Sequence, residues 1–258
     1  MKLIKNITLL GGLLVLALAF GYIFQIPFVI QFWPWPDGRL SYLFVGSILA
    51  AVSAAAIWIG WTGEFGALPA GSLNIFVIAI TSGAYFLQLA IQANRPSLFS
   101  YGLIAILSAL VSGAAFFWSR RIPLRVAQST PLPVRVSFGI FLTALIIAGG
   151  ALVFRVTIFP WALNSDSSVI FGCIFLGDAF YFLYALLVPA WHNAKGQLLS
   201  FLAYDLVLIG PFLALFGTVK PEHKLSLIVY VAILVYSGAI SVYYLFFHSQ
   251  TRSWREGS

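Results

Sequence analysis

The sequence predicts an all-α, polytopic membrane bundle of eight transmembrane helices, built as a 4+4 tandem (parallel) repeat. Three observations lead there. Of 258 residues, 61% are hydrophobic and 8% charged, whereas a soluble globule carries about 25% charge. Eight stretches have the roughly 20 apolar residues needed to cross a hydrocarbon core about 30 Å thick. Short motifs also recur at a nearly fixed distance. Pro34-Trp35 and Gly46 return as Pro160-Trp161 and Gly172 at an offset of 126, while Arg95-Pro96 and Ser112-Gly113-Ala114 return as Lys220-Pro221 and Ser237-Gly238-Ala239 at 125. One inserted or deleted residue reconciles the two offsets. With four spans per half, the chain regains its starting side before repeating, so the halves are expected to be related by an axis along the membrane normal.

The expected spans are 7–32, 41–61, 73–93, 99–118, 136–159, 167–190, 198–218 and 225–247. They divide into a first four-helix repeat (1–118), a basic linker (119–134) and a second four-helix repeat (135–258). Lys2 and Lys5 followed by an apolar run, with Ala17-Leu18-Ala19, have the outline of a cleaved signal peptide. The apolar sequence continues to Phe32, and cleavage would destroy a helix that the repeat requires, so an uncleaved first span is expected. In the second span Gly46, Ala50, Ala51 and Ser53 to Ala56 offer little side-chain volume. Small residues let helix backbones approach where lipid supplies no hydrophobic drive for association. The same reasoning assigns Gly46, Gly172, Gly113 and Gly238 to packing faces at matched positions. Gln88 in the third span, like Gln25 in the first, has the character of an interhelical hydrogen-bonding residue. In the seventh span Pro211 removes a backbone hydrogen bond and bends the helix. Trp33, Trp35 and Trp161 stand beside prolines in two matched loops, where Trp is expected as an interfacial anchor and Pro as a helix stop.

Orientation follows from the cations. Lys2, Lys5, Arg120, Arg121, Arg125, Arg135, Lys195, Arg252 and Arg255 fall on one side of this arrangement, and Arg39, Arg95, Lys220 and Lys224 on the other. Positively charged short loops stay in the cytoplasm, which places both termini inside. The linker also offers its arginines to anionic lipid headgroups. The net charge of +7 is accounted for by these loops, and nucleic acid is not an expected partner.

Membrane-embedded charge is costly, about 2.5 to 3.5 kcal/mol for a carboxylate at the helix centre, so intramembrane acids mark sites or interhelical pairs. Asp178 is expected about 15 Å deep and Asp205 about 10 Å from the opposite face. Arg155 is expected near the outer end of the fifth span, turning either outward to headgroups or inward to Asp178. Tyr181, three residues from Asp178, shares its helix face. Arg155, Asp178, Asp205 and Tyr181 are therefore the candidates for binding a substrate or proton between the fifth and seventh spans. At an offset of 126 the acids correspond to Val52 and Ala79, so the polar site belongs to one half. No metal site, cofactor or catalytic residue is predicted. His192, His223 and His248 lie outside the predicted span centres, where a haem would need an axial ligand. The last span holds no interior Lys for a retinal Schiff base, and Cys173 has no partner cysteine for a disulfide.

The stretch Trp33-Pro34-Trp35-Pro36-Asp37-Gly38-Arg39-Leu40-Ser41-Tyr42-Leu43-Phe44-Val45-Gly46 resembles the first hairpin of bacterial multi-pass membrane proteins that have a Trp-Pro-Trp outer loop and no assigned activity. It implies a location in the bacterial inner membrane. Phe175-Leu176-Gly177-Asp178 resembles the Gly-Asp element of lysoplasmalogenase-like membrane hydrolases, which implies an acid role for Asp178. Three functions remain open on the sequence: a small-solute or proton-linked transporter, a non-catalytic subunit or assembly factor, and a lipid-modifying hydrolase. The corresponding partners are the lipid bilayer, a small-molecule ligand, and another membrane protein or a second copy of this chain.

Overall fold

A computed structural model describes residues 2–125 and 128–251. Arg252 and Arg255, used above to orient the C-terminus, and two positions of the linker lie outside the described residues. Among the described residues eight helices are long and apolar enough to cross a membrane, so this is a multi-pass helical membrane protein. Among the described residues the only extended pairing is an isolated antiparallel bridge between Ser129 and Ala190. Large apolar side chains project outward along the spans, including Leu107 at 62%, Val111 at 70% and Ile147 at 67% exposure. Such surfaces require hydrocarbon as their solvent.

The helices start and stop where local chemistry directs. Helix α1 (Lys2–Ile23) ends nine residues before the expected boundary. Gln25 adopts the left-handed conformation at φ 53°, Ile26 N–H returns to Gly21 O at 2.8 Å, and Pro27 opens the short α2 (Pro27–Ile30). Helix α3 (Arg39–Thr62) closes on Gly63, left-handed at φ 76°. A 3-10 turn over Phe65–Ala67 leads into α4 (Leu68–Gln92), which is followed by α5 (Leu98–Ser119). Pro131 and Pro133 frame the start of α6 (Leu132–Val153). Asn164 caps α7 (Ser165–Leu187) by accepting from Asp166 N–H at 2.9 Å. Helix α8 (Trp191–Leu215) contains Pro211, and α9 (Lys224–Val242) continues into a π turn over Tyr243–Phe247.

Two of these boundaries relocate candidate residues. Helix α6 stops at Val153 rather than 159 because Arg155 is left-handed at φ 62° and Val156 N–H bonds Ala151 O at 2.9 Å. Arg155 therefore stands in the connection after the helix, not inside a span. Helix α8 begins at Trp191 rather than 198. Asp205 is thus about 21 Å along the helix from its start and about 15 Å from its end, deeper than the sequence suggested.

The chain forms two compact units. Unit 1 comprises Met1–Gly63, Phe159–Leu163 and Ala194–Ser258, and unit 2 comprises Glu64–Ile158 and Asn164–Asn193. In unit 1, α1 and α3 meet through glycines. A Cβ on Gly60 would lie 2.5 Å from Leu9 N, and one on Gly46 would lie 2.7 Å from Ile23 Cγ1 and 3.1 Å from Ala19 O. Phe44, Phe159, Trp161 and Phe212 are buried together in this unit, and Trp161 Nε1 donates to Ser41 Oγ at 3.1 Å. Trp161 is thus a core residue of unit 1, because its N–H finds a protein acceptor and its faces find aromatic rings. Trp35 is also buried, while half-buried Trp33 donates to Asp37 at 2.7 Å.

Unit 2 contains α4 to α7. Gly172 of α7 meets α6, where an added Cβ would lie 2.8 Å from Gly149 O and from Val153 N. Phe138 and Phe141 of α6 pack on Phe182 of α7. Gly113 of α5 faces Phe76 of α4. Helices α4 and α7 run antiparallel, so positions that climb one descend the other.

Candidate functional site

The α4–α7 seam of unit 2 carries polar groups along its whole length. Near its middle, Asn74 Nδ2 donates to Asp178 Oδ1 at 2.7 Å. Asp178 lies about 20 Å of helix rise from the start of α7 and about 14 Å from its end, close to the middle of the span. Gly177 makes this approach available, since an added Cβ would overlap Ile78 and lie 2.9 Å from Asn74 O. Asp178 is half-buried, whereas Asn74 and Tyr181 are buried. One turn below, the Tyr181 ring faces Gly71, and its hydroxyl donates to Asn193 O at 3.4 Å. Tyr181 therefore shares the Asp178 face, as its spacing predicts.

At one end of the seam Asp166 draws three partners together. It accepts from Tyr85 at 2.7 Å and from Arg95 at 2.7 Å, and Arg155 Nη2 lies 3.8 Å from its other oxygen. Arg155 also donates to the Tyr85 hydroxyl at 3.2 Å. That hydrogen bond, with a smaller contribution from the Asp166 charge, holds the guanidinium above its ordinary pKa. The half-exposed Arg155 side chain joins Asp166. Both arginines are about half exposed, and exposed pairs of this kind contribute roughly 0.2–1 kcal/mol. Asp166 also sits in the first turn of α7, where a carboxylate gains about 0.3–1 kcal/mol from the helix dipole. Asp166→Ala is expected to cost about 2 kcal/mol of stability and Arg155→Ala less than about 1. Thermal unfolding in detergent checks this, and equal losses would contradict the ranking.

At the other end, Glu64 follows the Gly63 helix stop and is buried. It lies 3.2 Å from His192 Nδ1 and accepts from Arg125 N–H at 3.4 Å. His192 is 4% exposed, because the early start of α8 carries it into the protein beside Glu64. From Glu64 to Tyr85 is about 31 Å at helical rise, the thickness of a hydrocarbon core.

Asp205 belongs to unit 1 and has its own partner. Ser237 Oγ of α9 lies 3.0 and 2.9 Å from its two carboxyl oxygens, and Gly238 leaves room, a Cβ there standing 3.4 Å from Oδ2. Asp205 is buried, so removing its donor leaves a buried acceptor unsatisfied. Ser237→Ala is expected to lower stability by about 1–3 kcal/mol in the same unfolding assay; an unchanged midpoint would show that Ser237 does not hold the carboxyl.

Sequence reasoning identified Asp178, Asp205, Tyr181 and Arg155 but not Asn74, Tyr85, Asp166, Glu64, His192 or Ser237. Helical spacing contained part of the signal, since Asn74, Ile78 and Tyr85 share a face with Ser82 in an otherwise apolar span. Among the described residues no group of three His, Cys, Asp or Glu side chains is placed to hold a metal ion. No protein-family model, curated protein or solved structure matches the chain.

Proposed function

We propose that the protein is a proton-linked transporter of a small cationic solute, with Asp178 as the group that both proton and solute occupy. The observation that carries this reading is a half-buried carboxyl near the middle of a span, held by a single amide from the neighbouring helix. A carboxylate there is expensive unless it is paired, and a proton or a cation each neutralises it. Because one carboxyl cannot serve both at once, their binding is competitive, and competition at one site couples two fluxes. The Asn74 amide fixes the orientation of the carboxyl, and the glycine at 177 lets the helices approach at that level.

The tandem repeat supports a site in one unit only. Gly46 meets Ala19 and Ile23 in unit 1 as Gly172 meets Gly149 and Val153 in unit 2. Ser200, at an offset of 126 from Asn74, donates to Ala51 O at 2.9 Å in unit 1. The corresponding contact in unit 2 is Asn74 to Asp178. In this reading each unit takes its first hairpin from one half of the chain and its second from the other, and the position matching Asp178 is the apolar Val52. In this reading the protein lies in a bacterial inner membrane with the Glu64 end of unit 2 toward the cytoplasm, an orientation that the positively charged loops support.

The test is proton movement in proteoliposomes that enclose a pH-sensitive dye and are challenged with a panel of small quaternary amines. An inward amine gradient is expected to drive protons outward and raise the internal pH, with no such change in protein-free vesicles. Silence across the panel, together with a stably co-purifying membrane protein, would replace this reading with that of a non-catalytic subunit.

A further inference from the structure

We propose that Glu64 and His192 form the proton-exchange pair for Asp178, connected to it through Asn193 and Tyr181 along the α4–α7 seam. This inference rests on the reading of Asp178 as a proton-binding group. The residues concerned all lie in unit 2. Glu64 and His192 are 2% and 4% exposed, with Oε2 and Nδ1 3.2 Å apart. The groups around the pair are Arg125 from the α5–α6 connection, Trp191 and Asn193 flanking His192 in the first turn of α8, and Tyr181 of α7, which bonds the Asn193 carbonyl. Tyr181 then stands one helical turn from Asp178.

Three further buried atoms distinguish this stretch from ordinary packing. Trp191 Nε1, Asn193 Oδ1 and Asn74 Oδ1 have no hydrogen-bond partner among the described residues. Buried donors and acceptors are rarely left without a partner, and the usual partner of such groups is ordered water. The first two flank His192, and the third belongs to the amide that holds Asp178. They mark water positions on both sides of the Tyr181 hydroxyl. A proton held by the imidazole–carboxylate pair passes by way of water to the Tyr181 oxygen while the Tyr181 hydrogen moves on toward the Asp178 carboxylate. The pair is left one proton short and is refilled from the aqueous phase at its end. Only O–H and N–H bonds are made and broken, and one proton is transferred.

The full-length protein in lipid nanodiscs is subjected to a pH jump, and the infrared carboxyl band of Asp178, assigned by its loss in Asp178→Asn, is followed in time. His192→Gln and Glu64→Gln are expected to slow its response at least about tenfold. Leu107→Ala, on the exposed face of α5, is expected to leave the rate unchanged. Tyr181→Phe removes one oxygen while keeping the ring, so it carries the test if either change at the pair unfolds the protein, and it is expected to slow the response equally. A wild-type rate in the folded variants overturns the relay and leaves Asp178 as a proton site reached by another route. An Asp178 band that does not respond to pH in any protein overturns the reading of Asp178 itself, and the relay with it.

Discussion

Asp178→Asn is expected to abolish proton-driven solute accumulation, with a loss of at least about 100-fold, while the protein remains folded. Asn fills nearly the same volume as Asp and still offers an oxygen to Asn74, whose amide lies 2.7 Å from the carboxyl. Stability should therefore change by no more than about 1 kcal/mol, because an unpaired intramembrane charge is also removed. What the amide cannot do is take up a proton or balance a cation, and those are the two states that coupling requires. Accumulation in energised vesicles and thermal unfolding, measured side by side, separate the two effects. Retained accumulation would remove Asp178 from the mechanism, and a large loss of stability would reassign it to packing.

Gly60→Ala is expected to be the most damaging conservative change in the α1–α3 hairpin. Its new methyl would stand 2.5 Å from Leu9 N and 2.7 Å from Leu9 Cα. These are backbone atoms, so no rotamer change relieves the overlap and the helices must separate. Overpacking typically costs 1–3 kcal/mol, and an unyielding contact belongs at about 3 or above. Gly11→Ala in the facing helix is the control, since nothing lies within 4 Å of its added Cβ. It should be neutral or gain up to about 1 kcal/mol of helix propensity. Unfolding midpoints that fail to separate the two variants would contradict the close α1–α3 approach.

The eight helical spans were legible because their determinants are compositional. Eight apolar runs required no knowledge of contacts. Boundaries were less legible where a residue other than glycine takes a left-handed conformation, as Gln25 and Arg155 do; neither carries a compositional mark of a helix end. The error at Arg155 was consequential, because a residue expected inside a span stands after it and pairs with Asp166. The site was half legible. Acids in apolar spans are conspicuous, so Asp178 and Asp205 could be read directly, but their partners Asn74 and Ser237 are polar residues of a kind common in such spans. Glu64 and His192 were hidden by position, at helix ends where charge is ordinary, and only the packing of unit 2 shows both to be buried. Asp178 and Asp205 each have a hydrogen-bond partner within their own unit, which similar depth along two helices could not reveal.

The most direct measurement of the central claim is the number of protons released when a transported amine binds to the purified protein in weakly buffered detergent solution, with Asp178→Asn alongside. Competition for one carboxyl predicts release of up to about one proton per amine bound by the wild type and none by the variant. Equal release by both proteins, or amine binding by the wild type with no release at any pH, would contradict the claim that proton and solute share Asp178.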